Sequence, residues 1–273
     1  MSINAEIVAV VLVAGLLCGF LNAVASSGSA VSLPVLLTIG LHATVANATN
    51  RIPVLVGSLA ATVGLARSGA IPWRPALIVA APLTLGSVFG AMASEYLPGR
   101  DLRKIIVGAV VVALILILAK LKNLLNAAGN REVRLGVKPL VLLFLVGFWA
   151  GLIVLDSGTY ILLVLVLTCG FDLVEANAIR NFATLTVALA ATLVFAGHQS
   201  IDWTMGGLMA FGSLVGGALG ARLAISPQAR RWIVILLVVV IVCELLHLIV
   251  PIRWLDKQVV PAIDAYCGQC WAR

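Results

Sequence analysis

Apolar residues run almost without interruption along this chain, in stretches such as 107–119 and 231–250, and polar side chains gather in the short gaps between them. These runs are long and do not alternate, so they predict helices rather than strands. In the first half they occupy 7–25, 29–40, 43–66, 75–96 and 103–120. In the second they occupy 139–156, 159–170, 173–197, 204–225 and 231–250. A helix needs about 20 residues to cross a bilayer. The second segment of each half is too short for that and predicts a re-entrant or broken helix. Short segments at matching places in two halves point to a transporter's binding site.

The halves also match residue by residue at an offset of 130 positions. Ser27-Gly28 falls on Ser157-Gly158, Gly40 on Gly170, and Ala46-Asn47-Ala48 on Ala176-Asn177-Ala178. The match continues through Leu59-Ala60-Ala61-Thr62 and Leu189-Ala190-Ala191-Thr192, then Trp73 and Trp203, then Gly90-Ala91 and Gly220-Ala221. Shared hydrophobicity does not explain a gapless agreement that includes Gly, Asn and Trp, so duplication is the better reading. The expectation is an all-α, polytopic integral membrane helix bundle of two tandem homologous halves with four to five hydrophobic segments each. The first membrane repeat covers 1–120, a basic linker 121–138, the second repeat 139–250 and a polar tail 251–273. Whether four or five segments per half cross decides if the repeats are parallel or inverted. Counting Arg and Lys leaves that open.

Composition places the bundle in lipid. Of the 273 residues, 62% are hydrophobic and 11% charged, against about 45–50% and 25% in soluble domains. In lipid every backbone amide needs an internal partner, which restricts spanning structures to helices and closed barrels. The net charge of +7 sits in short loops, where positive charge sets topology, and nucleic acid is excluded as a partner. The segment 8–25 follows Glu6 with no Lys or Arg, unlike a signal peptide, and predicts a retained first span. Leu17 before Cys18 argues against a lipoprotein cleavage site. Cys18, Cys169 and Cys243 lie in apolar spans as inert side chains. Cys267-Gly268-Gln269-Cys270 has no second pair or nearby His, so it is a weak metal signal that reads better as a tail disulfide or as a pair with no role, and no metal or cofactor is expected.

Two constellations could carry chemistry. The first is Asn47-Ala-Thr-Asn50-Arg51, with its counterpart Asn177-Ala-Ile-Arg180-Asn181. An arginine at the centre of a membrane helix costs about 2.5–3.5 kcal/mol. Two at similar positions call for carboxylates, backbone carbonyls or a bound anion as compensation. Snorkelling or structural ion pairs would also account for them. On the functional reading Arg51 and Arg180 neutralise an anion that Asn47, Asn50, Asn177 and Asn181 orient. The second constellation is the break after the first segment of each half, Ser26-Ser27-Gly28-Ser29 and Asp156-Ser157-Gly158-Thr159. The amides of a helix that restarts there favour an anion, although a tight turn would read the same way. Asp156 and Glu175 are the candidate proton carriers, and Glu175 also suits a helix N-terminus. Asp202 looks like an N-cap, and Trp73 and Trp203 fit an aromatic belt. Gly86, Gly90, Gly216 and Gly220 fit close helix packing. No catalytic pairing or phosphate-binding loop appears, so an enzyme is unsupported.

These motifs together resemble the TauE/SafE sulfite exporter family, from Gly19 to about Leu245. The likeness rests on Ala48-Thr49-Asn50-Arg51, the Pro34 segment ending at Gly40, the Ile71-Pro72-Trp73 and Ile201-Asp202-Trp203 turns, the paired glycines, and Glu175-Ala-Asn-Ala178. Similar proteins carry a glycine run at the helix breaks and often a lysine where Arg180 stands. The resemblance implies a carrier for sulfite, sulfonates or sulfoacetate-like anions, coupled to protons rather than ATP. The expected partners are a small anion and the lipid bilayer, in a bacterial inner membrane. A carrier for a carboxylate or inorganic anion, an anion channel and a non-transporting membrane subunit are the alternatives. A homo-oligomer is left open.

Overall fold

The computed structural model describes residues 5–96, 133, 135–154, 157–198, 201–229, 231–233, 235, 236 and 239. The fifth segment of the first half, most of the linker, most of the last segment and the tail lie outside these residues. So do Asp156, Cys243, Cys267 and Cys270. Among the described residues every regular element is helical. The helices are α1 (Ala5–Ala25), α2 (Ser29–Thr38), α3 (Ala43–Thr49), α4 (Arg51–Arg67) and α5 (Trp73–Glu95). After residue 136 come α6 (Val137–Leu152), α7 (Ser157–Leu163) continued by the π-helical turn π1 (Val164–Cys169), α8 (Leu173–Gly197) and α9 (Trp203–Ala224). Four of these, α1, α5, α8 and α9, are long and apolar enough to cross a membrane. The protein is a multi-pass helical membrane bundle.

The short second segments are short helices here too. With 10 residues, α2 reaches about 15 Å at 1.5 Å per residue, half a bilayer core. Its counterpart is seven α-helical residues followed by six π-helical ones. Both end at a glycine with positive φ, 98° at Gly40 and 86° at Gly170, a conformation that stops a helix at little cost only when no Cβ is present.

One segment departs from expectation. Positions 43–66 were predicted as a single run, yet the chain breaks at Asn50 into α3 and α4. In the second half α8 runs on through the equivalent point. Pro53 explains the difference, because it lacks an N–H and crowds the preceding turn. Ala183 at the matching position of α8 imposes neither constraint.

Packing interleaves the two sequence halves. The most extensive interhelix contacts are α1 with α9 and α6 with α5, followed by α9 with α4 and α5 with α8. The first helix of each half thus lies on the helix of the fourth apolar segment of the other. Glycine makes this possible. A Cβ on Gly212 or Gly216 would sit inside the Leu12 or Leu16 carbonyl of α1, and one on Gly86 or Gly90 inside the Phe144 or Phe148 carbonyl of α6. Lipid gives helices no hydrophobic reason to associate, so close backbone approach takes over that role. Cys18 and Cys169 are buried free thiols. Trp73 and Trp203 open α5 and α9 with about half their surface exposed.

Asp202 caps α9 as its sequence position suggests. Its Oδ1 accepts from the Thr204 and Met205 amides at 3.0 Å, and its own N–H donates to Thr49 Oγ1. Asp202→Ala removes the cap and is expected to cost about 1 kcal/mol, to be read as a lower midpoint of thermal unfolding in detergent.

Candidate functional site

Both singled-out arginines are buried to 1% exposure, and so are Asn47 and Asn177. Neither arginine side chain reaches the protein surface. Each instead lies at the C-terminal end of a helix from the other half. The last carbonyls of a helix have no partner within it and carry its negative dipole end. In lipid no water relieves them.

At the end of α6, Arg51 Nη1 donates to the Ala150 carbonyl and Nη2 to the Gly151 carbonyl at 2.6 Å. Asn47 completes the cap with both ends of its amide. Its Nδ2 donates to the Leu152 carbonyl and its Oδ1 accepts from the Val154 N–H, each at 3.1 Å. The Arg51 guanidinium also lies 5.3 Å from the Phe195 ring centroid, within cation–π range.

The end of α1 is held from α8. Arg180 Nη2 donates to the Asn22 carbonyl at 2.6 Å, to the Ala23 carbonyl at 3.2 Å and to Asn177 Oδ1 at 2.7 Å. Asn177 Nδ2 and Asn181 Nδ2 donate to the same Ala23 carbonyl at 3.1 and 3.0 Å. Hydrogen bonds to charged groups contribute about 1.5–3 kcal/mol each. Two or more per arginine offset an insertion cost of about 2.5–3.5 kcal/mol. Backbone carbonyls, one of the compensations foreseen for these arginines, accept from both of them.

The two helix breaks come together. Ser27 Oγ lies 3.4 Å from Thr159 Oγ1, and Ser29 Oγ donates to the Val154 carbonyl at 3.1 Å. Ser157 Oγ contacts the same carbonyl at 3.5 Å. Gly28 donates its N–H to Asn22 Oδ1 at 2.9 Å. A Cβ on Gly158 would lie 2.9 Å from the Ser26 carbonyl oxygen, 3.0 Å from Ser26 Cβ and 3.1 Å from Arg180 Nη1. Arg180, Asn177 and Asn181 therefore adjoin the breaks. Arg51 makes no hydrogen bond to Ser26–Ser29 or Ser157–Thr159 among the described residues. Asn50 is fully buried, with neither side-chain atom hydrogen-bonded among them.

Asn22 is a site residue that sequence reasoning missed. Its carbonyl takes Arg180 and its side chain holds Gly28. An asparagine near the end of an apolar span was the available signal. The carbonyls of Ala23, Ala150, Gly151 and Leu152 were equally missed, and no side chain announces them. Glu175 lies in the first turn of α8, partly buried. Among the described residues no three His, Cys, Asp or Glu side chains gather, and the polar groups that line the breaks are hydroxyls, amides and guanidinium N–H groups.

Residues 11–245 match the family model for the sulfite exporter TauE/SafE. Among curated relatives, the probable membrane transporter protein ORF9 of Sinorhizobium sp is 29% identical over 82% of this chain and 86% of its own length. The probable membrane transporter protein YfcA of Escherichia coli (strain K12) is 26% identical over 85% of this chain and 87% of its own. A probable membrane transporter protein of Haemophilus influenzae is 25% identical over 83% and 88%. No solved structure matches the chain.

Proposed function

The chain belongs to the sulfite exporter TauE/SafE family, and from that premise we propose a secondary transporter of small sulfur-containing anions, such as sulfite, sulfonates or sulfoacetate-like compounds. The anion binds between the two halves, where the helix breaks meet. Arg51 and Arg180 supply positive charge, and Asn50, whose buried amide is free of hydrogen bonds among the described residues, helps to orient the cargo. A proton carried by Asp156 or Glu175 couples movement to the gradient across a bacterial inner membrane. The halves descend from one duplicated repeat, a reading that the matching glycine stops at Gly40 and Gly170 support.

The observation that carries this reading is a pair of buried guanidinium groups, each clasping a helix end from the opposite half. Bundle motions that carry an anion across have to loosen or pivot about these clasps. The units that rock draw helices from both halves, with α1, α4 and α9 moving against α5, α6 and α8, because those are the sets that pack most closely.

Flux of radiolabelled sulfite and of a small sulfonate into proteoliposomes tests the reading, alongside the purified Arg51→Ala and Arg180→Ala variants. The parent should show saturable uptake that responds to an imposed pH gradient, and each variant should lose at least tenfold in rate. Two variants that behave like the parent overturn the site. Uptake of carboxylates but not sulfonates would move the substrate to another anion class, and non-saturating current would mark a channel.

A further inference from the structure

The two buried arginines look alike in sequence, but their nitrogen atoms are differently employed. Both Nη atoms of Arg51 are bound to backbone carbonyls, and its guanidinium is covered by Phe195. Arg180 spends all of its hydrogen bonds to Asn22, Ala23 and Asn177 through Nη2. Its Nη1, with two N–H donors, has no hydrogen bond among the described residues. That atom lies 3.1 Å from the point where a Gly158 Cβ would be, and Ser26 Cβ lies 3.0 Å from the same point.

Ser26 is itself unusual. Its φ is 73°, and it is the only non-glycine residue with positive φ among the described residues. Glycine would adopt that conformation with less strain. Ser26 is 3% exposed, and its buried Oγ has no hydrogen-bond partner among the described residues. A buried hydroxyl without a partner, on strained backbone and beside a guanidinium edge with spare donors, is an arrangement that hydrogen-bonded packing alone disfavours.

We infer that Arg180 Nη1 and Ser26 Oγ form the anion-contacting edge of the site, whereas Arg51 is a clasp that holds the end of α6 and does not touch the cargo. This assignment rests on the transporter reading above and narrows it. The ligand it fits is an oxyanion head group with at least two acceptor oxygens, one for the guanidinium and one for the hydroxyl. Gly158 allows the approach, since any side chain there would wedge Ser26 away from Arg180.

The test is anion affinity and thermal stability of the purified full-length protein in detergent, with sulfite and methanesulfonate as probes. The informative variant is Ser26→Gly, because glycine relieves the positive φ while removing the hydroxyl. It should melt no lower than the parent without anion, yet bind each probe about tenfold or more weakly, the effect of one hydrogen bond to a charged group. Arg180→Lys should weaken binding by a similar factor. Arg51→Lys should lower the melting temperature and leave the dissociation constant within about twofold of the parent. If Arg180→Lys does not fold, Ser26→Gly decides alone. Unchanged affinity in Ser26→Gly, or an affinity loss in Arg51→Lys matching that of Arg180→Lys, overturns the assignment while leaving the transporter reading in place. A parent protein that neither binds nor moves either probe overturns both.

Discussion

Gly216→Ala should destabilise the protein by about 3 kcal/mol or more, and purified variant should aggregate or melt well below the parent. In a helix interior this exchange taken alone would be favourable by about 0.8–1 kcal/mol, because alanine is the better helix former. Here that gain is outweighed. The added Cβ would overlap the Leu16 carbonyl, a backbone atom of α1 that cannot rotate away. The two helices must separate, and the whole α1–α9 seam, with Gly15, Gly19 and Gly212 in equally close approach, opens with them. Overpacking that moves backbone lies at the upper end of the usual 1–3 kcal/mol range or beyond it. Gly207 on the same helix is the control, since nothing lies within 4 Å of its Cβ position. Gly207→Ala should therefore be neutral or stabilising by up to about 1 kcal/mol. Thermal unfolding of both variants in one detergent distinguishes seam packing from helix propensity. Equal behaviour of the two would refute the close-approach account.

The second large effect is expected at Asn47. Asn47→Leu keeps the branched shape and the number of side-chain heavy atoms, and it removes both hydrogen bonds that this amide makes at the end of α6. The Val154 N–H and Leu152 carbonyl are then left without their Asn47 partner in a place where water is scarce. An unsatisfied buried polar group costs about 1–3 kcal/mol, so the pair should cost about 3 kcal/mol. Asn177→Leu makes a sharp comparison. The Ala23 carbonyl it abandons keeps Asn181 and Arg180 as donors, and only one acceptor for the guanidinium is lost. Its cost should stay near 1 kcal/mol. Unfolding midpoints read this directly, and a larger loss for Asn177→Leu than for Asn47→Leu would contradict the capping roles drawn from the geometry.

Both comparisons turn on partners that do not lie in the local sequence. The candidate residues were conspicuous in it: an arginine or asparagine inside an apolar run stands out against its neighbours, and Ser-Ser-Gly between two such runs marks a break. Asn22 shows the limit of that signal. One amide near the end of a hydrophobic segment reads equally as a packing residue, and only its contacts with Gly28 and Arg180 reveal otherwise. The unequal work of Arg51 and Arg180 was hidden for a related reason. The offset of 130 sets Arg180 opposite Asn50 and Arg51 opposite Asn181, so similar motifs deliver their charges one position apart, which on a helix is about 100° of rotation.

The amino-acid sequence alone determined that the chain is helical, that it lies in a membrane, and where most of its helices start and stop. Those properties depend on the transfer of each segment from water to lipid and on local backbone chemistry, both of which are summed over neighbours in the chain. Tertiary structure decided which helix lies on which, and hence that α1 packs on α9 and α6 on α5 across the halves. It also decided that buried guanidinium groups meet backbone carbonyls some hundred residues away. A carbonyl is the same in every residue, so nothing in the order of side chains distinguishes the few left unpaired at a helix end. Only the packed arrangement brings them within reach of a donor.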